Sequence, residues 1–203
     1  MAQVALIGAS GAAGSRILKE LSDRGHSVTG LARSPEKIAA LPGVTAAKVD
    51  VFDEDALTQA LRGHEVVISA VHFTASDIRS LIAAVRKSGV KRYIVVGGAG
   101  SLEIAPGKRL VDQPEFPAAY KAEASKGAEF LDLLRTVDDL DWTFISPSAM
   151  FTPGARTGQF RLGRDQLLTT DTGSSISFED YAIALVDELE RPAHIRQRFT
   201  VGY

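Results

Sequence analysis

Three glycines near the start of the chain have the spacing of a phosphate-binding turn. Gly8, Gly11 and Gly14 stand in Gly8-Ala9-Ser10-Gly11-Ala12-Ala13-Gly14, directly after the apolar run Gln3 to Ile7. Glycine at a strand end permits a tight turn. A second lets the backbone approach a pyrophosphate, and a third lets the next helix pack on the strand. The anion then rests on free N–H groups at the helix start, here around Ser10, Ala12 and Ala13. A glycine-rich turn without a ligand is the bland alternative. The buried strand before the loop and the amphipathic helix after it favour a dinucleotide.

The end of the second strand selects the form of dinucleotide. Leu31-Ala32-Arg33-Ser34 has no carboxylate for a ribose 2′-hydroxyl; the nearest is Glu36, inside the next element. Arg33, assisted by Ser34, could instead hold a 2′-phosphate as a charge-assisted fork. The competing reading is a surface arginine beside a helix cap. NADP(H) is therefore the preferred cofactor, with NAD(H) as the other form.

These residues need a scaffold, and the rest of the chain supplies one. Strands are predicted at Gln3 to Ile7, His26 to Ala32, Val44 to Val51, Glu65 to Val71 and Arg92 to Val96. Amphipathic segments alternate with them. One runs through Ile17, Leu18 and Leu21 to Gly25. A short one opens at Ser34-Pro35 and reaches Leu41. One is capped by Asp53 and ends at Gly63, and one is capped by Ser76 and ends at Gly89. Continuous apolar strands are buried on both faces, the habit of parallel sheets. The alternation predicts an α/β Rossmann-type doubly wound, mainly parallel sheet with helices on both faces. Gly97 to Pro117 reads as a long loop and Ala118 to Arg135 as a helix. Asp141 to Ser146 is a sixth strand. Pro147 to Gly173 is irregular, with a short strand at Gln166 to Thr169. A helix at Phe178 to Glu190 and a strand at Arg198 to Gly202 complete the chain. No repeat or linker breaks residues 1–203, so one domain is expected. Its acceptor pocket should be built from about 101–120 and 147–173, at the carboxyl edge of the sheet.

Composition narrows the partners. The formal charge is −2, which gives no global field for nucleic acid or an anionic membrane. Cysteine is absent, which excludes disulfides and thiolate chemistry and fits a cytoplasmic location. No apolar run has the length of a membrane span, and no signal peptide is visible. No pair among His26, His64, His72 and His194 has metal-ligand spacing, so no metal is expected.

The glycine loop and the Arg33 position resemble the short-chain dehydrogenase/reductase superfamily, in its atypical branch. Asp50-Val51 matches a pattern whose Asp side chain bonds the adenine amino group and whose next residue reaches the ring by its backbone. Ala70-Val71-His72 matches the stretch near the adenine ribose. Val95-Val96-Gly97-Gly98-Ala99-Gly100-Ser101 matches the strand end beside the nicotinamide. Pro147 could place backbone against the nicotinamide amide, by the same analogy. Nearly the whole chain is similar to the group provisionally labelled NADH-flavin reductases, related to biliverdin reductase B and the NmrA-like proteins. Gly97 to Leu102, Phe116 to Lys121, Asp141 to Phe144, Ile176 to Ala182 and Arg198 to Tyr203 carry that similarity.

One departure shapes the chemistry the resemblance implies. The superfamily's mainstream members carry Tyr-x-x-x-Lys, but Tyr120 is followed by Ala124 where the lysine would stand. Lys121 and Lys126 do not share that helix face. The expected reaction is therefore direct hydride transfer from NAD(P)H to a stacked flavin or quinone-like acceptor. FMN or FAD would be a substrate rather than a prosthetic group. The alternative is an NmrA-like redox sensor that binds NADP(H) and a protein partner without turnover. Sugar-nucleotide epimerase chemistry ranks below both, because it needs the missing pair and a larger substrate domain.

Other residues carry two readings each. Ser101 could bond an acceptor oxygen or be a turn serine. Tyr120 could line the acceptor pocket or be the first core residue of its helix. Lys121 and Arg109 could hold a flavin phosphate or be solvated surface charges. His72 could touch the cofactor. Phe151 or Phe160 could stack on an isoalloxazine or anchor a lid. A monomer or a homodimer fits equally.

Overall fold

A computed structural model describes residues 1–203. The first half alternates as the periodicity predicts. Strands β1 (Gln3–Ile7), β2 (Ser27–Ala32), β3 (Val44–Lys48), β4 (Val66–Ser69) and β5 (Arg92–Val96) are joined through helices α1 (Ala12–Asp23), α2 (Glu54–Leu61) and α3 (Ile78–Ser88). The second half contains β6 (Glu103–Ala105), β7 (Lys108–Arg109), α4 (Ala118–Leu134), β8 (Asp141–Pro147), β9 (Met150–Thr152), β10 (Arg161–Gly163), β11 (Ser175–Ser177), α5 (Phe178–Glu190) and β12 (Gln197–Gly202).

Eight strands form the central sheet in the order β10-β12-β8-β5-β4-β1-β2-β3. All neighbours are parallel except β10, which runs antiparallel to β12. The strand order reverses between β1 and β4, so a crevice opens there at the carboxyl edge. Alternation along β1 feeds two cores. Val4 and Leu6 pack with α1 and α5, through Ile17, Leu18, Leu21, Tyr181 and Leu185. Ala5 and Ile7 pack with α2, α3 and α4, through Leu57, Leu81, Val85, Phe130 and Leu131. A fully buried side chain of this kind contributes about 1.5–3 kcal/mol, so this two-sided burial is what fixes the sheet.

Several boundaries differ from the sequence reading. The helix expected from Ser34 to Leu41 is only a 3-10 turn over Pro35–Lys37, because Ile38 turns extended and buries its side chain against the first core. Strand β3 stops at Lys48 rather than Val51. Asp77, not Ser76, caps α3: its carboxylate accepts from the Arg79 and Ser80 amides at 2.9 Å, whereas the Ser76 hydroxyl donates back to the His72 carbonyl. The loop after β5 holds the small hairpin β6–β7. Residues 166–169 form no strand beyond one bridge between Gln166 and Glu103; the edge strand is β10. No helix is long and apolar enough to cross a membrane.

Candidate dinucleotide and acceptor site

A cavity of about 460 Å³ lies along the carboxyl ends of the parallel strands. Every cofactor residue singled out from the sequence lines it except Gly14 and Ser34. Gly14 acts behind the wall. A Cβ there would come within 2.1 Å of the Gly8 carbonyl oxygen, so glycine allows α1 to lie against the end of β1. Ser34 precedes the 3-10 turn, and its hydroxyl caps nothing.

The loop geometry fits a pyrophosphate. Gly8 has φ +82°, and a Cβ on it would meet the Ala70 carbonyl oxygen at 2.5 Å. The Gly11 amide donates to the Gly8 carbonyl at 3.0 Å and Ser15 to Gly11 at 2.9 Å, which closes the turn. The amides of Ala12, Ala13 and Gly14 then have no acceptor within the protein, and no side chain caps the helix. Three unsatisfied donors at the positive end of a helix are an anion cradle.

At the β2 and β3 end, Arg33 is exposed and enters no ion pair. Asp50 is exposed too. Its Oδ1 accepts the Phe52 amide at 3.0 Å, which orients the carboxylate and leaves Oδ2 free. Phe52 lines the same end of the cavity and is 62% exposed.

At the β5 and β8 end the walls include Gly97, Gly98, Pro147, Phe151 and Phe178, and Glu123 of α4 enters the wall beside the segment after β4. A Cβ on Gly97 would overlap the Phe144 ring at 2.4 Å, so only glycine fits between the strand and the core. Phe151 packs edge-on to Phe178, with centroids 4.5 Å apart, and tilts against Tyr181 at 4.7 Å. The Arg16 guanidinium covers Phe178 at 5.8 Å and is paired with Glu179.

Glu123 was not visible from the sequence. One turn after Tyr120, it matches no motif, and only the fold brings α4 against the segment after β4. There it accepts from the Phe73 amide at 2.7 Å, the Thr74 amide at 2.9 Å and the Thr74 hydroxyl at 2.7 Å. His72 Nδ1 lies 3.3 Å away. Burial pushes the Glu123 carboxyl up, but the Thr74 and Phe73 hydrogen bonds outweigh it and hold the group below the usual carboxylate range.

Ser101 and Tyr120, the candidates for catalysis, lie outside the cavity walls. Ser101 is buried, and its hydroxyl accepts from Arg198 at 3.2 Å. That arginine also reaches Ser146 at 3.2 Å and Asp165 at 2.6 Å, so Ser101 anchors an internal guanidinium. Tyr120 is 66% exposed in the first turn of α4, which rules out a core role. No residue of 101–120 lines the cavity, whereas Pro147 and Phe151 of the second expected segment do. Phe160 packs on the first core instead. Arg109 is held bidentately by Asp132 at 2.8 and 2.6 Å, and Lys121 donates to the Val111 carbonyl. Neither is free for a phosphate.

A family described as NAD(P)H-binding matches residues 8–192. The chain is 41% identical over 210 residues to the uncharacterised Bacillus subtilis protein YwnB, covering 98% of this chain and 97% of that one. Among solved structures, a provisionally named epimerase from Bacteroides thetaiotaomicron superposes with TM-score 0.94 at 43% identity, covering 100% of this chain and 97% of that chain. A provisionally named NADH-flavin reductase from Streptococcus pneumoniae superposes with TM-score 0.87 at 37% identity, covering 100% and 99%. The chain belongs to the NAD(P)H-binding family.

Proposed function

We propose that the protein is an NAD(P)H-dependent reductase that passes hydride directly to a flavin or quinone-like ring, with NADP(H) preferred. The observation that carries this reading is the composition of the cavity. It runs from an anion cradle to an aromatic end, and neither Tyr120 nor a lysine belongs to its wall. The Ala12, Ala13 and Gly14 amides would hold the pyrophosphate. Arg33 would take the 2′-phosphate, without Ser34, and Asp50 and Val51 the adenine. Gly97, Gly98 and Pro147 would lie by the nicotinamide. The bound nicotinamide supplies a hydride. The chain's own task is placement: the backbone at the ends of β5 and β8 would support the rings, and Phe151 and Phe178 would exclude water. Such a reaction needs no tyrosine acid, because the proton completing a two-electron ring reduction can come from solvent.

The test follows NADPH and NADH absorbance with flavins and a small quinone. Oxidation well above background supports the reading. No oxidation with any acceptor, together with intact NADPH binding, overturns it in favour of a sensor.

A further inference from the structure

Six large apolar side chains stay exposed in this fold, and of these only Phe52 lines the cavity. Phe52 belongs to neither core, and its ring enters no aromatic or cation–ring pair. The backbone beneath it is nevertheless fixed. The Asp50 side chain accepts the Phe52 amide at 3.0 Å, and the Asp50 carbonyl accepts the Asp53 amide at 3.1 Å, which closes a turn. Asp53 then caps α2 by accepting from the Ala56 amide at 3.0 Å. Before the turn, the Val49 amide donates to the Ala32 carbonyl at 3.0 Å, which ties this segment to the end of β2, next to Arg33. An exposed aromatic ring on a braced turn in a cavity wall is a surface held ready for another flat ring.

We propose that Phe52 is the platform for the adenine of the dinucleotide, carrying the base by its face while Asp50 Oδ2 takes its amino edge. This rests on the cofactor placement proposed above and on no property of the acceptor. The two residues do different work. A ring accepts any flat base, so Phe52 supplies affinity with little choice of base. A carboxylate oxygen accepts only from a donor such as the exocyclic amino group, so Asp50 supplies the choice. Arg33 would separate the phosphorylated from the unphosphorylated ribose. The ring, the carboxylate and the cation at this end therefore answer three parts of one nucleotide.

The base is common to NADPH and NADH, so losing its platform has a signature that losing Arg33 lacks. Phe52→Ala should weaken both cofactors by the same factor, about tenfold or more. Its thermal midpoint should stay within about 2 °C of the parent's, because Phe52 supports neither core. Phe52→Trp should keep the affinity and report the contact directly. Trp142 is the chain's only tryptophan and is buried, so it gives a constant background. Emission of the introduced indole should fall on titration with ADP or 2′,5′-ADP, which carry the base without the nicotinamide. Phe52→Ala binding both dinucleotides within about twofold of the parent, or an indole that neither ADP form quenches, overturns the platform and leaves the cofactor reading standing. A parent protein that binds neither NADPH nor NADH overturns both.

Discussion

Arg33 is an exposed guanidinium at the cavity wall with no protein partner, so its charge is available to a ligand. The expected consequence is selective. Arg33→Ala should weaken NADPH binding by about tenfold or more, the scale of a lost charge-assisted pair, and weaken NADH by less than about threefold. Titration of both cofactors against the variant checks this; equal losses would reduce Arg33 to a surface charge. Tyr120 makes the opposite prediction. Its ring is exposed and outside the cavity wall, so Tyr120→Phe should keep kcat/KM within about twofold of the parent, since surface changes away from a site are small. A loss of about a hundredfold or more, the scale of a missing general acid, would return tyrosine to the mechanism.

At the scale of elements, the approach of α1 to β1 is the contact on which the cradle depends. With 2.1 Å between a Cβ on Gly14 and the Gly8 carbonyl oxygen, Gly14→Ala must push the helix away from the strand. It should cost about 1–3 kcal/mol by the overpacking rule and displace the free amides of Ala12 and Ala13. Denaturant unfolding reads the first effect and NADPH titration the second. Unchanged affinity with lowered stability would separate packing from binding at this position. Such local features were legible because they depend on neighbours in sequence: the glycine spacing, the Asp53 cap that accepts from Ala56 at 3.0 Å, and the left-handed Gly89 stop. What was illegible depends on contacts remote along the chain. Glu123 meets Phe73 and Thr74 only after α4 packs beside the segment following β4. Ser101 meets Arg198 across 97 residues, and Arg109 meets Asp132 across 23. Periodicity places a helix face toward a core, but not which polar atom finds a partner there.

At the scale of the molecule, the segment between β9 and α5 is strapped to the body by carboxylates from both ends of the chain. Glu20 of α1 holds Arg156 at 2.9 Å, and Glu179 of α5 accepts the Gly154 amide at 2.8 Å. Asp180 accepts the Thr157 amide at 2.7 Å, the Thr157 hydroxyl at 2.6 Å, the Gly158 amide at 2.8 Å and the Tyr203 hydroxyl at 2.8 Å. Burial pushes all three carboxyls up, but for each the donors outweigh it and hold the group below its usual value. Lowered folded values mean that the unfolded chain takes up protons first on acidification. The strap's contribution is therefore fully present above the unfolded carboxyl values of about 4, and is lost as pH falls through the lower folded values. The thermal midpoint should be nearly flat from about pH 6 to 8 and fall steeply below about pH 4. Asp180→Asn, which loses the charge but keeps the shape, should lower the neutral-pH midpoint by about 3–10 °C, the scale of lost hydrogen bonds to a charged group. It should also flatten the acid limb, because one of the protons that drives unfolding is gone. A variant whose midpoint falls by the same amount at every pH would place the acid sensitivity elsewhere. The strap also joins Phe151 to Phe178 through residues 152–177, so its loosening at low pH should reach the proposed acceptor wall before the glycine cradle. Riboflavin affinity should therefore weaken at a higher pH than NADPH affinity, and the reverse order would detach the strap from the acceptor site.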